Sequence, residues 1–82
     1  MHYKFTSMRP TTEFGKWLHA KMLKYNMDCG DVAKIIHTTK QSVAFHINGR
    51  VNPNFPFVVA YCWIFGDDPE TIWKLVETEE GS

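Results

Sequence analysis

The clearest structural pattern in the sequence is Val32-Ala33-Lys34-Ile35-Ile36-His37-Thr38-Thr39-Lys40-Gln41-Ser42-Val43. Ala33 is small, so another helix can approach closely there, and Val43, ten residues later, can hold a second helix against a core. Thr39 can cap that second helix, because its hydroxyl can accept from a backbone N–H two or three residues on. Two short helices joined by a turn through His37 and Thr38 are therefore predicted.

Apolar spacing extends this pattern to both sides. The first of the pair should run from about Cys29 or Asp31 to Ile36, and the second to about Asn48, where Gly49 can supply a left-handed end. Three more helices are predicted over 12–25, from an Asn54 cap to Gly66, and from Pro69 to about Glu77. The inward faces are expected to carry Phe14, Trp17, Leu18, Met22 and Tyr25, then Val32, Ile35 and Ile36, and finally Ile72, Trp73 and Val76. The fourth helix is apolar around most of its circumference, which predicts a central core helix.

The chain of 82 residues provides one domain and no second core. We expect an N-terminal arm at 1–10, with a possible short strand, a domain at 11–78 and a frayed acidic tail at 79–82. Five short helices with brief connections predict an all-α fold, a compact five-helix bundle.

Charge is unevenly distributed along a chain whose formal net charge is zero. Residues 1–50 hold eight Lys and Arg against three Asp and Glu, whereas residues 51–82 hold one against six. The first part also contains all four histidines. This separation predicts a basic face on which a polyanion could dock and an acidic end that stays in solvent.

Other classes of function find little support in the sequence. The longest apolar stretch, 55–65, is too short to span a membrane, and no apolar signal-peptide core follows Met1, so a cytoplasmic location is expected. Cys29 and Cys62 lack CxxC spacing and are expected as free thiols. The histidines and cysteines show no metal-ligand spacing, and a Cys29–His37 pair lacks an orienting acid. No enzyme activity, metal or cofactor is predicted.

The stretch 32–43, together with the loop at Pro53, the pair Phe65-Gly66 and the last helix, resembles the helix-turn-helix of lambdoid phage repressors and Cro. The resemblance spans roughly residues 14–76. It implies the fold of a phage repressor DNA-binding domain and a stand-alone transcriptional regulator. Such a regulator would place one helix per protomer in the major groove of an operator in double-stranded DNA. It would act as a homodimer through the fourth and fifth helices or the arm, and Trp63 would suit a dimer contact if exposed.

The resemblance also implies which residues meet DNA. Base edges would be read by Lys40, Gln41, Ala44 and Phe45, with Gln41 suited to adenine and Lys40 to guanine or phosphate. The DNA backbone would be contacted by Cys29 and the N–H groups beside it, and by Thr39, Ser42, Asn48 and Arg50. Thr39 could instead touch a thymine methyl.

Three positions depart from the family pattern. Cys29 stands where a phosphate-clamping Gln is common, His37 where Gly is common, and His46 where Leu is usually buried. Ile47 is expected to take over that packing, leaving His46 half-buried and structural, and Phe45 could face DNA, the core or a partner. These departures and the neutral net charge leave an alternative hypothesis, a protein-interaction module on the same fold, such as an antirepressor or an inhibitor of a host factor.

Overall fold

Five α-helices account for most of the chain in a computed structural model that describes residues 9–80, and the side chains of residues 9–77. The helices are α1 (Glu13–Lys24), α2 (Cys29–Ile36), α3 (Lys40–Asn48), α4 (Phe55–Phe65) and α5 (Pro69–Glu80). Residues 9–80 contain no strand, so the all-α class is confirmed. Residues 1–8 of the expected arm at 1–10, on which the possible strand falls, and residues 81–82 lie outside the described residues.

Capping side chains set where the helices begin. The Thr12 hydroxyl accepts from the Gly15 N–H at 2.9 Å, the Thr39 hydroxyl from Ser42 at 3.1 Å, and the Asn54 side chain from Phe57 at 3.0 Å. These bonds satisfy N–H groups that have no partner within the helix. At the other ends, Gly49 (φ 76°) and Gly66 (φ 79°) adopt the left-handed conformation that stops α3 and α4. The predicted caps at Thr39, Gly49, Asn54 and Gly66 are confirmed.

One apolar core joins all five helices. It consists of Phe14, Leu18, Met22, Val32, Ala33, Val43, Ile47, Val58, Tyr61, Cys62, Phe65, Ile72 and Val76. Val32 and Val43 are fully buried, as predicted. Trp17 and Trp73 are partly buried against this core.

Two predictions of inward-facing residues, those for Tyr25 and Ile35, are wrong. Tyr25 is 50% exposed because α1 ends at Lys24, so Tyr25 lies beyond the helical register and stacks on Phe65 with ring centroids 5.6 Å apart. Ile35 is 42% exposed because the inward side of α2 runs through Val32, Ala33 and the partly buried Ile36 instead. The fourth helix contributes four residues to the core, as its apolar pattern predicts, and its Trp63 is 78% exposed, which is the exposure that a dimer contact requires.

The last helix is longer than predicted. It continues to Glu80, three residues beyond the expected end at Glu77. The first residues of the expected acidic tail are therefore helical.

At Gly15 the backbone of α1 lies directly against the backbone of α3. A Cβ added to Gly15 would fall 2.1 Å from the Ile47 carbonyl oxygen, a distance that atoms in contact do not reach. Only glycine permits this crossing, because the obstruction is backbone that cannot rotate away. Gly15 therefore fixes how closely α3 lies against the rest of the molecule.

Replacing Gly15 with alanine should destabilise the fold by at least about 2 kcal/mol, because α1 and α3 must separate. That loss corresponds to a fall in melting temperature of roughly 10 °C for a domain of this size, measurable by circular dichroism. Gly30→Ala is the matched control, since its Cβ would meet nothing closer than an Asp28 oxygen at 3.4 Å. It should leave the melting temperature unchanged or raise it. Equal losses in the two variants would contradict the role of the crossing.

Candidate nucleic-acid interface

α2 and α3 pack against each other and are joined by the three residues 37–39. His37 ends α2 in the left-handed conformation, with φ 60° and ψ 49°. The carbonyl of Ala33 accepts from the backbone N–H groups of His37 and Thr38 and so closes the helix end. A residue with a Cβ costs about 1 kcal/mol in this conformation, which explains why glycine is the easier choice at this place.

One side of α3 faces away from the core. Lys40 and Gln41 are exposed in its first turn, and Ala44 and Phe45 follow one turn later, partly exposed. Residues three and four apart lie on the same side of a helix, so these four form one surface, the α3 outer face. The structure thus brings together the four residues predicted to contact bases.

Phe45 lies outside the core, so the interpretation of Phe45 as a core residue is wrong. Its ring lies beneath the Arg50 guanidinium, whose carbon is 5.8 Å from the ring centroid. A cation over an aromatic face is attracted to it by roughly 0.5–1 kcal/mol at an exposed site. This contact places the Arg50 charge beside the α3 outer face.

Thr39 and Ser42 form a small hydroxyl pair where α3 begins. The Thr39 hydroxyl accepts from the Ser42 N–H and donates to the Ser42 oxygen at 3.0 Å. The Ser42 hydroxyl hydrogen is not used in this pair, so it can still be donated to an oxygen such as that of a phosphate. Of the two hydroxyls, that of Ser42 is therefore the better donor to an anion.

Asn48 holds the segment that precedes α1, a role that the sequence did not predict. Its Oδ1 accepts from the Arg9 backbone N–H at 2.8 Å, and its carbonyl accepts from the Thr11 hydroxyl at 3.1 Å. The amide NH₂ of Asn48 is the part of that side chain suited to donate to an anion. Arg9 is exposed beside it. Arg9, which is 39 residues from Asn48 in sequence, therefore lies beside the end of α3.

The start of α2 carries negative charge. Asp28 accepts from the Asp31 N–H at 2.8 Å, and Asp31 accepts from the Asp28 N–H at 3.0 Å, which makes a reciprocal capping box. Cys29 is half-buried between these two aspartates. Both carboxylates oppose a phosphate at this helix end, so the predicted backbone contact at Cys29 lacks electrostatic support. The spacing of the two aspartates was a sequence signal for this box.

His46 projects from α3 into the core rather than lying half-buried. It is 4% exposed, its Nδ1 lies 2.7 Å from the Tyr61 hydroxyl, and its ring meets Phe57 edge-on at 4.7 Å. Burial lowers the pKa of His46 to about 4, so the ring is neutral at pH 7. Ile47 is buried next to it, as expected. A polar bond therefore ties α3 to α4 inside an otherwise apolar core.

Asp67 binds α1 to the turn between α4 and α5. Its carboxylate accepts from the Trp17 indole N–H at 2.7 Å and pairs with Lys21 at 3.2 Å, and both partners lower the pKa of Asp67. Lys21, a member of the basic first part of the chain, is thereby neutralised locally. The exposed cations Arg9, Lys40 and Arg50 lie along α3 or beside it.

The structure adds no sign of catalytic or metal chemistry in the part of the chain that it describes. Burial raises the pKa of both thiols, that of Cys62 to about 11, so neither is an activated nucleophile at neutral pH. No three His, Cys, Asp or Glu side chains among residues 9–77 could together hold a metal ion. None of the described helices has the length and apolar character that crossing a bilayer requires.

Comparison with known proteins gives no match, whether with protein-family models, with curated proteins or with solved structures.

The stability of the fold should depend on the protonation of His46. An unfolded histidine has a pKa of about 6.5. The stability contributed by neutral His46 is therefore complete above pH 6.5, and it falls toward pH 4 because only the unfolded chain takes up the proton. The contribution of His46 to the free energy of unfolding should fall by about 3 kcal/mol between pH 7 and pH 4. Urea denaturation at the two pH values measures this fall as a lower unfolding midpoint.

His46→Leu, which cannot take up this proton, should show a shallower pH dependence over the same range. His46→Leu combined with Tyr61→Phe controls for the hydroxyl left without its histidine partner. Carboxylates titrate alike in all three proteins, so the difference between the curves isolates His46. Parallel curves for the wild type and His46→Leu would contradict the assignment.

Proposed function

We propose that the protein is a sequence-specific regulator of transcription that reads double-stranded DNA with α3 in the major groove and acts as a homodimer. The observation that carries the proposal is the α3 outer face. Lys40 and Gln41 are exposed there, and Ala44 and Phe45 are partly exposed one turn later. The major groove is about 12 Å wide and admits one helix. Lys40 and Gln41 offer donors for guanine and adenine edges, while Ala44 and Phe45 are apolar and suit a thymine methyl. The phage Cro and repressor family, which the sequence resembles, is the model for this arrangement.

Electrostatics support the same surface. The first turn of α3 contains no acidic residue, so Lys40 adds to the positive end of the helix dipole. In α1, α2 and α5 an Asp or Glu occupies the first turn. A phosphate beside Thr39 and Ser42 would meet a helix end without carboxylates. Arg50, held over Phe45, would meet a second phosphate near the other end of the outer face.

The base contacts are tested by selecting binding sites for the wild type and for variants from a pool of random duplex DNA. Gln41→Ala and Lys40→Ala should each lose preference at one base position and bind the selected duplex roughly tenfold to a hundredfold more weakly. Lys74→Ala on α5 removes the same charge far along the sequence from α3 and should select the same site as the wild type. Selection of one unchanged site by all variants would overturn the assignment of base contacts.

The phosphate contacts are tested by the salt dependence of binding to the selected duplex. Each phosphate neutralised contributes about −0.9 to the slope of log affinity against log salt concentration. Arg50→Ala should make the slope shallower by about that amount and weaken binding to all sequences alike. Arg50→Lys keeps the charge and should keep the slope.

The alternative hypothesis, a protein-interaction module, is favoured by the carboxylates of Asp28 and Asp31 at the start of α2. It predicts weak binding to every duplex offered, with a flat salt dependence. If folded wild-type protein gave that result, the DNA-binding proposal would be wrong and the protein-interaction hypothesis would take its place.

A further inference from the structure

The exposed side of α4 is an apolar surface on a different helix from the α3 outer face. It carries Trp63, 78% exposed, and one and two turns earlier Val59 and Phe55, which are 38% and 39% exposed. Trp73 of α5 meets the Phe55 ring edge-on at 5.5 Å and holds it in place. We call the strip of Phe55, Val59 and Trp63 the α4 ridge. Trp and Phe are the residue types enriched at protein interfaces, whereas a tryptophan this exposed is uncommon on a free surface.

A groove runs beside the ridge. It is lined by Ile36 of α2 and by Pro56, Phe57 and Ala60 of α4, and its volume is about 190 Å³. Sites for drug-sized ligands are larger, about 300–1,000 Å³. The groove is therefore suited to one large side chain rather than to a small-molecule ligand.

We propose that a second copy of this chain covers the α4 ridge, with α4 packed antiparallel on α4 about a two-fold axis near Val59. About such an axis, a residue that lies a given number of positions before Val59 in one copy faces the residue that lies the same number of positions after Val59 in the other copy. Trp63 of one copy then lies beside Phe55 and Pro56 of the second copy, at the opening of the groove. The arrangement is reciprocal, so both tryptophans are covered at once, as a two-fold interface requires.

Charge favours an identical partner on this surface. Every residue of α4, 55–65, is uncharged. Two copies can therefore meet through this helix without like-charge repulsion. A partner recognised through charge would find no complementary group on the ridge.

The size of the surface predicts a weak dimer. A fully exposed tryptophan or phenylalanine can bury about 150–250 Å², and Phe55 and Val59 are only about two-fifths exposed, so the ridge offers roughly 300 Å² per copy. Stable interfaces bury about 800 Å² per partner. We therefore expect a dissociation constant in the micromolar range or above, and pairing that is strengthened when two chains occupy adjacent sites on DNA. This inference deepens the proposed function, since reading two half-sites requires a pair of α3 helices.

The position of the axis is tested by cysteine crosslinking without DNA, in a Cys29→Ser background. Val59→Cys should form a disulfide-linked dimer under mild oxidation, because the axis brings the two Cα atoms within the roughly 4–7 Å that a disulfide spans. Trp63→Cys, on the same ridge, should not, because the two copies of residue 63 are displaced by eight residues, or about 12 Å, along the helices. The buried Cys62 stays unreactive and remains in both proteins. Equal crosslinking of both variants, or of neither, overturns the proposed packing.

The strength of the contact is tested by sedimentation equilibrium over roughly 1 µM to 1 mM. Trp63→Glu should raise the dissociation constant of the dimer at least tenfold with an unchanged melting temperature. Leu23→Glu introduces the same charge at a 50% exposed apolar residue of α1 and should leave the constant within twofold. A wild-type chain that is monomeric throughout, or a dimer that Trp63→Glu does not weaken, contradicts the proposal.

Failure of this inference and failure of the proposed function remain distinguishable. A chain that dimerises through Val59 but binds no duplex supports the α4 ridge and contradicts the DNA-binding function. A chain that stays monomeric but selects a specific duplex contradicts the α4 ridge as a dimer contact and supports the DNA-binding function. If both hold, Trp63→Glu should bind a single half-site duplex with wild-type affinity and lose at least tenfold on the duplex with two half-sites.

Discussion

The crossing of α1 and α3 at Gly15 and the Ile47 carbonyl determines where α3 can lie. Because Gly15 has no side chain, the α1 backbone lies directly against the Ile47 carbonyl, where any Cβ would clash. The contact continues beyond the helices, since Asn48 and its carbonyl bind Arg9 and Thr11. The position of α3 is therefore determined along its second half by backbone geometry and hydrogen bonds, in addition to hydrophobic packing.

The other sides of α3 are held by different kinds of contact. Val43 packs into the core with the buried residues of α2, and His46 bonds to Tyr61 of α4. A buried hydrogen bond adds direction to a contact that apolar packing alone would leave adjustable. The face that remains free of these three contacts is the one with Lys40, Gln41, Ala44 and Phe45. Its outward orientation thus follows from what holds the opposite sides of the helix, and a helix held in this way can present side chains in a fixed geometry.

The sequence predicted much of this fold because helix caps and helical faces depend on residues that lie close together in the chain. The caps at Thr39, Asn54, Gly49 and Gly66 depend on residues within one turn. The four outward residues of α3 were implied by the resemblance, and their spacing is consistent with one side of a helix. Periodicity failed at Tyr25, since it does not show where a helix ends. It also failed at Ile35, since an apolar residue on a small domain is not always covered. The bonds of Asn48 to Arg9 and of His46 to Tyr61 join residues distant in sequence, so no local pattern contained them.

The neutral net charge of the chain is compatible with a polyanion partner because its charges are separated along the sequence and because the α2 and α3 helix starts differ in charge. The two helices of the α2–α3 pair begin with opposite charge, Asp28 and Asp31 for α2 against Lys40 for α3. Lys21 is paired with Asp67 and contributes little attraction, whereas Arg50 is exposed. A nucleic acid would therefore be drawn toward α3 and repelled from the start of α2. This difference favours an orientation in which α3 makes the close contacts and α2 stands back from the phosphates.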